Sequence, residues 1–252
     1  MQFKNWLKPT RIPDPPKATA TRLDPTGKTM DILPTLKTEL AKCYLNPADY
    51  EDLISAGGFK KVYEVLKKKH FPKDDKTKRG VFGETISMLW VRDVLGYEVP
   101  FLKRQWAMQR ERPQLGEDVV GFVFPQSGKD KLMIVEAKFY ASTKSNLEGA
   151  IDQAHKTITK CMKASQCYTL YHISTFFHYS GKDDLRKRVL AMFNHYKGKK
   201  FEKNSGVFVI TSDALWTDSM FKEKMKGNTI TDLNCWGVVH ADINLLYEEV
   251  HK

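Results

Sequence analysis

Glu136-Ala137-Lys138 closes an apolar run, Leu132-Met133-Ile134-Val135, and Asp118 lies eighteen residues upstream. Two residues apart on a strand, Glu136 and Lys138 point to the same face. A hydrophobic strand seldom delivers two charges to one face unless something there uses them. An aspartate followed by Glu-x-Lys at a strand end suits metal-dependent phosphodiester chemistry. That reaction needs charge neutralised on the phosphate, water made nucleophilic and the leaving oxygen stabilised, and magnesium can serve all three needs. Mg2+ takes oxygen ligands and usually keeps several waters, so two or three carboxylates suffice; Mn2+ accepts a similar set. Asp118 and Glu136 are therefore the expected ligands, and Lys138 the group that orients and deprotonates the attacking water or holds charge on the phosphate.

The elements that must position these groups can be read from the pattern around them. Residues 118–124 and 131–140 are strand-like, and Pro125-Gln-Ser-Gly-Lys-Asp130 between them is turn chemistry. Pairing Phe124 with Lys131 makes opposed residue numbers sum to 255, give or take about one, which sets Asp118 across from residues 136–138. A preceding strand is expected over roughly 99–108. Residues 81–95 read as a helix apolar on most of its circumference, with Phe82, Ile86, Leu89 and Trp90 on one side and Met88, Val91 and Leu95 on another. Glu84 starts the second stripe. A buried, unpaired carboxylate is costly, so Glu84 either serves a cation as a third ligand or pairs with an arginine such as Arg92 or Arg79. Ser145-Asn-Leu-Glu148 reads as a capping box opening a helix to about Ala164, with Gln153 beside its apolar stripe. Gln153 is a candidate accessory residue. So is Tyr140, next on the face of Glu136 and Lys138, although an ordinary strand aromatic also explains it.

Further out, residues 1–34 carry six prolines and several basic residues and read as an extended basic arm. Residues 35–75 hold short helices, with Asn46-Pro47 opening one that Gly57-Gly58 ends. Residues 76–252 form the expected α/β domain. Within it, 168–173 is a strand or a helix, 183–196 a helix, 206–211 a strand, Asp213 the cap of a helix to Met225, and 236–240 a strand before a final short helix. Strand, helix, strand implies α/β layering with some parallel pairing. The formal charge of +11, from 41 basic and 30 acidic residues, favours a polyanionic partner. The lysine runs also read as solvated helix faces. Cys43, Cys161, Cys167 and Cys235 contain no Cys-x-x-Cys pair and read as reduced thiols of a cytoplasmic protein, with no zinc site expected. Neither a transmembrane stretch nor a secretory leader is evident, so no membrane partner is expected.

Taken together, Glu84, Asp118 and Glu136-Ala137-Lys138, in the order helix, three strands, helix, strand, resemble the PD-(D/E)xK nuclease superfamily, with Gln153 where several members carry a helical glutamine. The resemblance implies a restriction-endonuclease-like core, a central mixed sheet flanked by helices. Arg79-Gly-Val-Phe-Gly-Glu84, Gly116-Glu-Asp118 and Glu136-Ala-Lys-Phe-Tyr140 are similar to the family of the Hachiman anti-phage nuclease subunit (HamA) and its AbpA-like relatives, over roughly residues 77–160. The family pattern has Gly-Phe-Asp where this chain has Gly-Glu-Asp, which leaves Glu117 beside Asp118 as an alternative ligand. This resemblance implies a metal-dependent nuclease acting on DNA, with Mg2+ or Mn2+, held by a helicase partner within a bacterial defence pair. A stand-alone restriction-type endonuclease and a catalytically inactive nucleic-acid-binding subunit are the alternative readings.

Overall fold

Six strands form one mixed sheet in a computed structural model that describes residues 2–13, 18–100, 117–165, 167–198, 200–226, 228–230 and 232–252. They are β1 (Leu7–Ile12), β2 (Ala18–Pro25), β3 (Val119–Val123), β4 (Lys131–Phe139), β5 (Glu202–Thr211) and β6 (Leu233–Val239), in the order β1-β2-β6-β5-β4-β3. The central four run parallel, and β1 and β3 are antiparallel to their neighbours. Parallel strands are covered on both faces and read as continuous apolar runs, as β4 and β5 do. On β4, Met133, Val135 and Phe139 enter one core and Leu132 and Ile134 the other.

Residues 7–12 and 18–25, expected as part of an arm, are instead built into this sheet. β1 pairs with β2, and β2 runs parallel to β6. Two of the prolines that suggested an arm sit where a missing N–H is tolerated: Pro9 lies on the outermost strand and Pro25 is the last residue of β2. Trp6 and Leu23 are buried in the same core as the helices that follow.

That first core is covered by α1 (Leu33–Tyr44), α2 (Pro47–Val65), α3 (Asp75–Leu89) and α8 (Ile243–His251). Asn46 caps α2, accepting the Asp49 N–H at 2.9 Å. Gly57-Gly58 breaks α2 into two pieces, and Gly58 takes φ +65°, a conformation that favours glycine. α3 begins six residues before the expected 81, because the Asp74 carboxylate accepts the Thr77 N–H at 2.7 Å. It continues as a π-helical turn over Trp90–Val94.

The second core is covered by α4 (Lys144–Lys163), α5 (Tyr168–Tyr179), α6 (Asp183–Asn194) and α7 (Asp218–Met225). Two expected caps move. Thr143, not Ser145, caps α4, and Thr217, not Asp213, caps α7. In each case a hydroxyl upstream of the first buried turn reaches an N–H three residues on. Residues 168–173 are helical, since Leu170, Ile173 and Phe177 bury one face at helical spacing. Two glycines let the sheet approach its tryptophans: a Cβ at Gly206 would lie 2.2 Å from the Trp236 ring, and one at Gly237 would lie 2.1 Å from that of Trp216. No helix of the described residues is long and apolar enough to cross a membrane. The strand expected over 99–108 lies mostly outside the described residues; just before it, Glu98 exchanges two 2.8 Å hydrogen bonds with Phe122 on the outer edge of β3.

Candidate functional site

The β3–β4 hairpin pairs Val119 with Val135 and Val123 with Lys131, so opposed numbers sum to 254 and Asp118 stands directly across from Glu136. β3 stops there, and β4 runs on through Phe139 with β5 at its other edge. The backbone N–H of Ala137 would otherwise lack a strand partner, and the Asp118 carboxylate accepts it through Oδ2 at 2.9 Å. This bond fixes the aspartate against the end of the hairpin.

Glu136, Lys138 and Tyr140 share the face of β4 that continues from Leu132 and Ile134 toward α4. Glu136 is 8% exposed. A carboxylate so buried needs a compensating charge, and the Lys138 ammonium donates to its Oε1 at 2.6 Å. Burial works against the charge on Lys138. The fields of Glu136 and then Asp118, the hydrogen bond to Glu136, and the field of Glu84 outweigh it, holding the lysine pKa above its ordinary value. All three expected acids therefore act on one ammonium.

Glu84 reaches this point because α3 lies close on β4. A Cβ at Gly83 would meet the Phe139 Cβ at 3.4 Å, and the rings of Phe82 and Phe139 are 5.2 Å apart. Glu84 is half-buried. The two arginines weighed as its partners make other pairs: Arg92 with Glu39 at 2.8 Å and Asp93 at 2.6 Å, and Arg79 with Asp75 at 2.7 Å. Gln153 is exposed, on the other side of the buried α4 stripe from Glu148 and Asp152, which bond Lys224 of α7. Tyr140 is half-buried, packs on the second core and extends the pairing with β5 through its N–H to Ile210.

Beside this site lies a cluster that the sequence reading did not anticipate. Glu117, Cys161 and Cys167 bring one ligand atom each to within 4.8 Å of one another, and they are the one such trio among the described residues. The Cys161 thiol donates to Glu117 Oε1 at 3.1 Å, and the Thr169 hydroxyl donates to Oε2. Burial raises the Glu117 pKa, but these two bonds outweigh it and hold the carboxyl below its ordinary value. The hydrogen bond with Cys161, together with burial, pushes the Cys167 thiol far up. Such a trio could bind a divalent ion, and its two sulfurs suit zinc rather than magnesium. The sequence offered only a six-residue gap between cysteines, which is common in helices. The acid comes from a segment 44 residues away in the chain.

The two clusters answer which acid of the Glu117-Asp118 pair faces Glu136: it is Asp118. As oxygen donors, Asp118 and Glu136 fit Mg2+ or Mn2+, whose remaining positions water fills.

The family described as HamA matches residues 1–235, which hold β1 to β5, the start of β6 and α1 to α7. The chain belongs to the HamA family. A search of curated proteins gives no match.

Proposed function

Proceeding from membership of the HamA family, we propose that this chain is a metal-dependent nuclease that cleaves DNA, the effector subunit of an anti-phage defence pair controlled by a helicase partner. The observation that carries the reading is the hairpin register, which sets Asp118 opposite Glu136 with Lys138 paired to that glutamate. A sheet with helices on both faces supports a PD-(D/E)xK-type core, and the charge of +11 suits a nucleic-acid substrate.

Asp118 and Glu136 would hold the cation, with Glu84 approaching from α3 as a third or outer ligand. A cation bound there supplies Lewis-acid stabilisation of the phosphate and lowers the pKa of bound water. Asp118 is held in place by the Ala137 N–H, so its orientation does not depend on substrate. Lys138, kept as an ammonium by its three acidic neighbours, is suited to neutralise charge on a phosphate oxygen. It could act as a base only once another cation cancelled the field of those carboxylates.

The test is cleavage of plasmid and single-stranded DNA in Mg2+ by the purified chain, with and without its helicase partner. Lys138→Ala should abolish cleavage while keeping a cooperative thermal transition, at a lower temperature because Glu136 loses its compensating charge. Undiminished cleavage by that variant would overturn the mechanism. One observation favours the inactive-subunit reading, namely that Lys138 already supplies Glu136 with a compensating charge. Mn2+ titration decides between the two, since a working site binds Mn2+ in a Glu136-dependent way and an inactive one does not.

A further inference from the structure

From Gln153 to Lys182 the chain contains no acidic residue, and the same holds from Leu185 to Phe201. These stretches make the end of α4, all of α5 and most of α6. The two shorter helices lie antiparallel, since Phe193 near the end of α6 touches the rings of Tyr168 and Tyr171 at the start of α5, 6.0 and 5.8 Å away. Tyr168, Tyr171 and His172 occupy positions i, i+3 and i+4 and share a face. The two tyrosines are 68% and 51% exposed. Exposed lysines stand at the neighbouring chain ends: Lys163 closes α4, and Lys197 and Lys200 follow Tyr196, whose hydroxyl meets Cys161 of α4 at 3.4 Å.

This surface adjoins the proposed catalytic site. Thr169, next to Tyr168, turns inward and donates to Glu117, the residue before Asp118. Exposed tyrosines on chain stretches that carry lysines and no acids match a ligand with flat apolar faces and a polyanionic backbone. Unpaired bases offer such faces, whereas a duplex hides them in its stack.

We propose that the Tyr168–Tyr171 face of α5, with Lys163, Lys197 and Lys200, is a stacking platform that holds a single strand of nucleic acid beside the catalytic acids. Its placement in the reaction rests on the nuclease reading, but binding to it does not require cleavage. Phe193 holds the two rings from behind, and the lysines take the phosphates.

The experiment is fluorescence anisotropy of the full chain in EDTA with a labelled oligodeoxynucleotide, offered single-stranded and as a blunt duplex. Tyr168→Ala with Tyr171→Ala should raise the single-strand Kd by about tenfold or more, with much less effect on the duplex. Tyr168→Phe with Tyr171→Phe keeps the rings and should bind like the wild type. Lys163→Ala with Lys197→Ala should flatten the dependence of log Kd on log salt by roughly 1.4, two phosphates' worth for a single strand. Unchanged single-strand binding by the double-alanine variant would overturn the platform. So would normal binding combined with loss of a protein partner, which would make the face a protein-docking surface. If the alanine variant loses the strand and the wild type binds it but never cleaves in Mg2+, the platform stands and the nuclease reading falls. If cleavage depends on Lys138 while the tyrosines prove irrelevant to binding, the reverse holds.

Discussion

Glu117 and Asp118 are consecutive residues with the same charged group, and they meet two different sets of neighbours. Asp118 stands across a strand pair from Glu136, accepts a backbone N–H and acts on an ammonium. Glu117, one residue earlier, turns to the thiol of Cys161 and the hydroxyl of Thr169. The first setting is all oxygen and amine and suits a hard cation that keeps its waters. The second mixes one carboxylate with two sulfurs and suits a softer one. Both residues precede β3, and adjacent carboxylates reach different partners because consecutive side chains of an extended segment point to opposite sides.

The largest effect that tests this contrast is on cleavage. Asp118→Asn removes transition-state electrostatics, a class of change that costs about 10²–10³-fold, whereas Glu117→Gln should stay within about tenfold in the same plasmid assay. Equal losses would merge the two clusters into one site. Metal binding follows. By calorimetry, Mn2+ binding should be lost in Glu136→Gln and kept in Cys161→Ser, while any cobalt–thiolate absorption band should depend on Cys161 and Cys167 and ignore Glu136.

Stability comes next. Glu117→Ala strips the hydrogen-bond acceptor from two partly buried donors and should cost about 1–3 kcal/mol in urea unfolding. Because the folded pKa of Glu117 lies below its unfolded value, its contribution is complete above the ordinary glutamate range, near pH 4.5, and is lost as pH falls through the folded pKa. Glu117→Gln should therefore flatten the acid side of the stability profile below about pH 4.5. The smallest effect belongs to Gln153. Exposed on α4, its change to alanine should shift stability by no more than about 0.5 kcal/mol and leave cleavage within a few-fold. A larger loss of cleavage would place Gln153 in contact with substrate.

Much of this site was legible in the chain. The alternation that set Glu136 and Lys138 on one face, and the turn at Pro125–Asp130 that folded Asp118 back against them, are local rules, and the register came out one unit from the expected sum. The helix bearing Glu84 was legible too, although its start was not, because the Asp74 cap lies before its apolar pattern begins. The N-terminal strands were hidden. β2 pairs with β6 more than two hundred residues later, and nothing in a proline-rich segment announces a partner that far along the chain.

The sequence by itself determined which residues could do hard-cation chemistry, since a strand's period of two and a short turn leave little choice of face or register. Tertiary structure alone decided the rest: that Cys161, Cys167 and Thr169, at the adjoining ends of α4 and α5, close around Glu117, and that Glu84 approaches Lys138 across the close contact of α3 at Gly83. Such contacts depend on how helices seat on a sheet. That seating is set by the summed packing of two whole cores, which no local pattern encodes.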